Sequence, residues 1–134
     1  MTQTLRENIA TRAEFRCEYC LLPEAFATTP HQIDHIIPKQ HGGEDSSDNL
    51  AFSCAICNRF KGPNLATFDP ETKELTVFFH PRADVWTEHF EVKDGHITGL
   101  TPKGRATVLI FKFNDEVRIA QRRSLIQKGR YSET

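Results

Sequence analysis

Four cysteines in two pairs carry the most specific spacing in the chain. Cys17 and Cys20 bracket Glu18-Tyr19, and Cys54 and Cys57 bracket Ala55-Ile56. Each C-x-x-C turn can offer two thiolates to one cation. In a reducing compartment two such turns predict one tetrahedral four-thiolate zinc (Zn²⁺) site. A closed shell of four thiolates leaves no open position for catalysis, so its expected role is to tie the N-terminal segment to residues 54–57. A redox dithiol is an alternative reading, but a thioredoxin-like strand–helix context is missing. Disulfides would need an oxidising compartment, and no export signal supports one. Thirty-three residues separate Cys20 from Cys54. That exceeds the common zinc-ribbon spacing, which leaves room for a functional insertion.

The insertion contains His31, Asp34-His35-Ile-Ile-Pro38, His41-Gly42-Gly43 and Asp48-Asn49-Leu50. Ile33, Ile36 and Ile37 favour extended structure, and Pro38 biases Ile37 away from helix. Gly42-Gly43 and the polar residues through Asn49 read as a loop. Residues 50–53 suit a second strand. After Cys54 a helix of about two turns is expected, stopped by Gly62 and Pro63. The order is strand, long loop, strand, short helix, with cysteine pairs at both ends.

These positions, continued by Cys54-x-x-Cys57-Asn58-x-x-Lys61, resemble the HNH endonuclease family, whose core is the ββα-metal finger. The likeness covers residues 17–61 and is of the H-N-N kind, with His35, Asn49 and Asn58 at the three motif positions. It implies a metal-dependent endonuclease that hydrolyses DNA phosphodiesters. That reaction needs an activated water, a cation to neutralise phosphoryl charge and help for the leaving oxygen. His35 is implied as general base, since an imidazole exchanges protons near neutral pH. Asp34 and Asn58 are implied as ligands of a catalytic Mg²⁺ or Mn²⁺, because hard divalent ions take oxygen ligands and keep several waters. Asn49 is expected to orient His35 or brace the loop. Arg59 and Lys61 on the helix are expected to steady a substrate phosphate. Adjacent residues of a regular strand face opposite ways, so the strand carrying Asp34 and His35 must bend or end there. His31 could touch the site from the same strand face.

The elements that must position these groups begin with a helix over residues 3–16, where Leu5, Ile9 and Ala13 fall at helical spacing. Beyond the finger, 74–79 reads as a strand and Asp94-Gly95 as a hairpin turn within 90–100. Trp86 and Phe90 are expected to be core anchors. A helix begins near Pro102 or Lys103, and Asn114 followed by two acids suits the start of another. Parts of 81–107 are similar to the tail found after the finger in compact bacterial HNH proteins. The fold class expected is α+β: a ββα finger with a four-cysteine site at 15–62, an N-terminal helix, and an extension at 64–127 of a hairpin plus helices. Residues 1–134 read as a single domain.

Composition is ordinary for a globular chain: 134 residues, 38% hydrophobic and 26% charged. The longest run of large apolar residues, 108–111, is far too short for a membrane span. The N-terminus lacks the apolar core of a secretory signal, so a cytoplasmic protein is expected. The formal net charge is −1, yet residues 101–134 hold eight Lys/Arg against three Asp/Glu. That imbalance suggests a basic face, for which a solvated helix face is the plainer reading from charge alone; Arg118, Arg122 and Arg123 are expected to contact nucleic acid, with duplex DNA as the partner. The alternative function is a non-catalytic zinc module that binds nucleic acid or protein. A zinc scaffold alone would not require Asp34-His35 together with Asn49, Asn58 and Lys61.

Overall fold

Helix α1 (Gln3–Arg12) starts where the Thr2 hydroxyl accepts the Leu5 N–H, and it buries Ile9 and Ala10. It stops four residues earlier than its apolar spacing predicts, because Glu14 and Phe15 take left-handed backbone angles that turn the chain into the first cysteine pair. The computed structural model describes residues 2–132. Strands β1 (Gln32–His35) and β2 (Leu50–Ser53) pair antiparallel, with Asp34 opposite Ala51 and His35 opposite Leu50. Helix α2 (Ala55–Lys61) follows at once and ends at Gly62, whose combination of φ 51° and ψ −138° only glycine adopts readily. The ββα order anticipated for 15–62 is present, and the fold class is α+β.

The loop between β1 and β2 folds back tightly on itself. Gly43 lies so close to the Ile37 carbonyl that any Cβ there would collide with it. Asn49 closes the same turn. Its Oδ1 accepts the Ile37 N–H at 2.8 Å, and its Nδ2 donates to the carbonyls of Ile37 at 3.0 Å and Glu44 at 2.9 Å.

Past the finger, β3 (Ala66–Phe68) pairs with β4 (Leu75–Val77). The one-turn helix α3 (Trp86–His89) leads into the hairpin of β5 (Phe90–Lys93) and β6 (His96–Gly99). Asp94 and Gly95 both have positive φ, as a two-residue hairpin turn requires. Helix α4 (Pro102–Phe111) is capped by the Thr101 hydroxyl and packs on β6, β3, β4 and α2. Helix α5 (Glu116–Gln127) packs on β6. Its cap is Asp115, not Asn114 as the sequence suggested. Asn114 brackets Ile97 instead, accepting its N–H at 2.9 Å and donating to its carbonyl at 2.7 Å.

The larger core joins the cysteine pairs to Tyr19, Phe78, Phe79, Phe90, Ile97, Phe111 and Phe113. A smaller one seats Ile9, Ala10 and Ala13 of the N-terminal segment on Leu50 and Phe52 of β2. Trp86 and Phe90 are anchors of the first, their rings 4.8 Å apart.

One buried ion pair ties the β3–β4 turn to α4. Asp69 accepts from Arg105 Nε and Nη2, both at 2.9 Å, and from the backbone N–H of Thr72 at 3.1 Å. The guanidinium, helped by the turn N–H groups, holds the Asp69 carboxyl well below its usual range. An unfolded aspartate titrates near ~3.9, so the stabilisation is complete above that pH and is lost as pH falls towards the depressed value. Asp69→Asn is therefore expected to lower the melting temperature at pH 7 and to shrink the drop between pH 7 and pH 3. Thermal melts at the two pH values check this, and an undiminished drop would remove the pair from the acid response.

Candidate metal centre and adjoining polar depression

The turn after α1 presents Cys17 and Cys20, while Cys54 caps α2 and Cys57 lies in its first turn. The four sulfurs lie within 4.8 Å of one another, all buried, with Cys20 and Cys54 Sγ 3.8 Å apart. Four thiolates at ~2.3 Å from one zinc ion sit about 3.8 Å from each other, so the donor set fits a tetrahedral zinc. In each knuckle the second cysteine's N–H donates to the first cysteine's sulfur at 3.4 Å. Burial pushes the Cys17 and Cys57 thiols up, and hydrogen bonds from the other three cysteines pull Cys20 down. A bound dication is what allows several buried sulfurs to be anionic together.

Arg118 of α5 completes this centre. Its guanidinium is 6% exposed and donates to Cys57 Sγ at 3.1 Å and to the Phe111 carbonyl at 2.7 Å. Cys54 Sγ lies 3.8 Å from the same nitrogen. A tetrathiolate around a dication carries surplus negative charge, and this buried cation offsets part of it. Arg122, 3% exposed, donates to the carbonyls of Gly95 and Phe113.

These contacts correct the expectation of a basic nucleic-acid face on α5. Arg118 and Arg122 point inward, where buried carbonyls and thiolates need donors, and of the three only Arg123 is exposed, paired with Asp94 at 3.2 Å. Charge counting along the chain could not tell an outward arginine from one committed to the core.

Asp34, His35 and Asn58 line one open depression of about 410 Å³, together with Ile33, Pro38, Lys39, Gln40, Gly62 and Pro63. Asp34 and His35 are both still paired within β1, Asp34 bonded to the buried Tyr19 and Lys61 and His35 to Asp45 of the loop, and both line the depression at the end of that strand. His35 Nε2 lies 2.7 Å from Asp45 Oδ1, and Lys39 Nζ is 3.4 Å from the same oxygen. The His35 hydrogen bond, then that from Lys39, holds the Asp45 carboxyl below its ordinary value. Asp45 escaped the sequence reading, since it was one acid among several in a polar loop. Asn49 braces that loop through the neighbouring Glu44 carbonyl.

Asp34 is buried, with a donor on each carboxylate oxygen: Tyr19 Oη at 2.6 Å from Oδ2 and Lys61 Nζ at 3.2 Å from Oδ1. Burial raises its carboxyl above the usual range, against the pull of Lys61 and Tyr19. Lys61 is only 2% exposed and also donates to the His35 carbonyl at 2.8 Å. It braces the end of β1 and is not free for a substrate phosphate, which corrects a second expectation. Asn58 Nδ2 donates to Gln32 Oε1.

Arg59 is exposed and lies over the Phe60 ring at 4.9 Å, with Lys112 Nζ at 5.4 Å from the same ring. His31 is a core residue, 1% exposed, with Nε2 2.9 Å from the Leu22 carbonyl and its ring against Phe52. It does not line the depression. Tyr19 went unnoticed because nothing in the spelling of a C-x-x-C turn says where its inner side chains point.

Among the described residues no helix is long and apolar enough to cross a membrane. No curated protein and no solved structure matches the chain. Residues 17–64 match a family model described as HNH endonuclease, a span that contains both cysteine pairs and every residue of the β1–β2–α2 unit, and the match supports a nuclease-type function acting on nucleic acid.

Proposed function

From an HNH-family finger over residues 17–64, we propose that this chain is a metal-dependent endonuclease that hydrolyses DNA phosphodiester bonds in the depression formed by Asp34, His35 and Asn58. The observation that carries the reading is the His35–Asp45 pair at 2.7 Å on the rim of that depression. With Asp45 accepting the Nε2 proton, His35 keeps Nδ1 as a lone pair for an attacking water. Asp45 then stabilises the imidazolium once that proton has moved. Asn49 acts at one remove, holding the loop that carries Asp45 through the Glu44 carbonyl.

Asp34 and Asn58 supply hard oxygen donors to the same depression, a set that fits a divalent cation able to keep waters and accept phosphate oxygens. A bound Mg²⁺ or Mn²⁺ would neutralise charge on the phosphoryl group and on the departing 3′ oxygen. Two protein ligands leave the remaining positions to water and substrate. The four cysteines hold a structural zinc with no part in the chemistry. We assign Arg59, Lys39, Lys112 and Arg123 to the solvent-exposed cationic surface available to the DNA backbone. Residues 64–127 act as a family-type extension that closes the finger's core.

The test is conversion of supercoiled plasmid by purified, zinc-loaded protein at low salt with Mg²⁺ or Mn²⁺. Nicked or linear product that EDTA suppresses is the expected result. Its absence with both ions would favour the non-catalytic zinc module.

A further inference from the structure

We propose that Tyr19 is a positioning residue: its phenol, carried by the first zinc knuckle, fixes the Asp34 carboxylate as the ligand of the catalytic cation. The inference rests on the functional reading above, in which Asp34 is that ligand.

Tyr19 occupies the interior of the Cys17–Cys20 turn and is fully buried. A buried phenolic hydroxyl needs a partner, and this one donates to Asp34 Oδ2 at 2.6 Å. The rest of the side chain is locked. Its ring lies 4.8 Å from that of Phe111, and its backbone carbonyl accepts the Trp86 indole N–H at 2.9 Å. Lys61 holds the other Asp34 oxygen at 3.2 Å. A carboxylate offers about four lone-pair sites, so one donor per oxygen orients the group and still leaves room for a cation.

The two donors differ in what they tie Asp34 to. Lys61 belongs to α2, the helix that carries Asn58, and sets the carboxylate against its co-ligand. Tyr19 belongs to the zinc knuckle and sets it against a centre that is rigid once four thiolates are bound. Both donors thus link Asp34 to the four-cysteine centre, Lys61 through α2, which starts at Cys54 and holds Cys57, and Tyr19 through the other knuckle, by a hydrogen bond of its own. Removing the partner of a metal ligand commonly costs ~10–100-fold in metal affinity or activity.

The experiment compares wild type, Tyr19→Phe and Asp34→Asn. Each is assayed for zinc content, melting temperature, the Mn²⁺ concentration that half-saturates plasmid nicking, and Mn²⁺ retained by the DNA-free protein in electron paramagnetic resonance. Tyr19→Phe removes one oxygen and is expected to raise the half-saturating Mn²⁺ by about 10-fold, with zinc content unchanged and a modest drop in melting temperature, because the buried Asp34 carboxylate loses one donor. Asp34→Asn is expected to lose Mn²⁺-dependent nicking. An unchanged Mn²⁺ requirement in Tyr19→Phe, beside a disabled Asp34→Asn, overturns the positioning role alone. Full nicking by Asp34→Asn overturns the reading of the site itself. Loss of zinc in Tyr19→Phe also overturns the proposal, because the phenol would then be holding the knuckle.

Discussion

On the proposed function, His35→Ala is expected to lower the rate of plasmid nicking by about 10²–10⁴-fold, the range that a positioned general base supplies, while leaving zinc content and melting temperature unchanged. The separation of activity from stability follows from where the ring sits. The His35 side chain is about a quarter exposed, and its hydrogen bond goes to the exposed Asp45. Removing the imidazole leaves no buried donor or acceptor without a partner. An exposed, solvent-screened pair of this kind contributes little to stability. The structural duty of position 35 belongs to its backbone, since Lys61 donates to the His35 carbonyl and alanine keeps that group. Measured initial rates with Mg²⁺ and Mn²⁺, beside thermal melts, check both halves. Undiminished nicking would place the base elsewhere. A large fall in melting temperature would mean that the ring holds the loop.

Cys54→Ser is expected to show the opposite signature: loss of the metal and of the cooperative melt, with activity falling only because the fold does. Cys54 has three duties, as thiolate donor, as acceptor of the Cys57 N–H, and as the residue that starts α2. Serine preserves a helix cap but is a poor substitute for a zinc thiolate. A structural zinc contributes on the order of 10 kcal/mol to a small fold, comparable to the ~5–15 kcal/mol by which domains are stable at all. Loss of the metal also leaves Arg118 buried with part of its compensation removed, since burial pushes the Cys17 and Cys57 thiols up. Zinc content by mass spectrometry and a thermal melt decide the matter. Unchanged values in Cys54→Ser would remove the structural-zinc reading.

Much of the finger was legible because its signals are local. The cysteine turns, the Pro38 break, Gly42-Gly43 and the Gly62-Pro63 stop each act within a few residues, and β1, β2 and α2 stand where they put them. Asp94-Gly95 marked its hairpin for the same reason. Strand β3 was missed, since three residues after a turn carry little periodicity and are strand only because β4 lies beside them. Asn114 looked like a cap on spacing alone, but Ile97, seventeen residues away, competed for its amide. At the site, residue types were readable while contacts were not. Asp34, His35 and Asn58 do share one depression, yet Lys61, Arg118 and Arg122 face inward because buried carboxylates, thiolates and carbonyls elsewhere in the chain claim them.

The guanidinium of Arg118 reaches its sulfur from sixty-one positions further along the chain. Helix α5 cannot swing away without stripping the thiolates of a donor and opening their burial. For a zinc ion held by the four cysteines, opening of that helix would then bare the sulfurs to a chelator, so extraction would report on a part of the molecule that supplies none of the ligands.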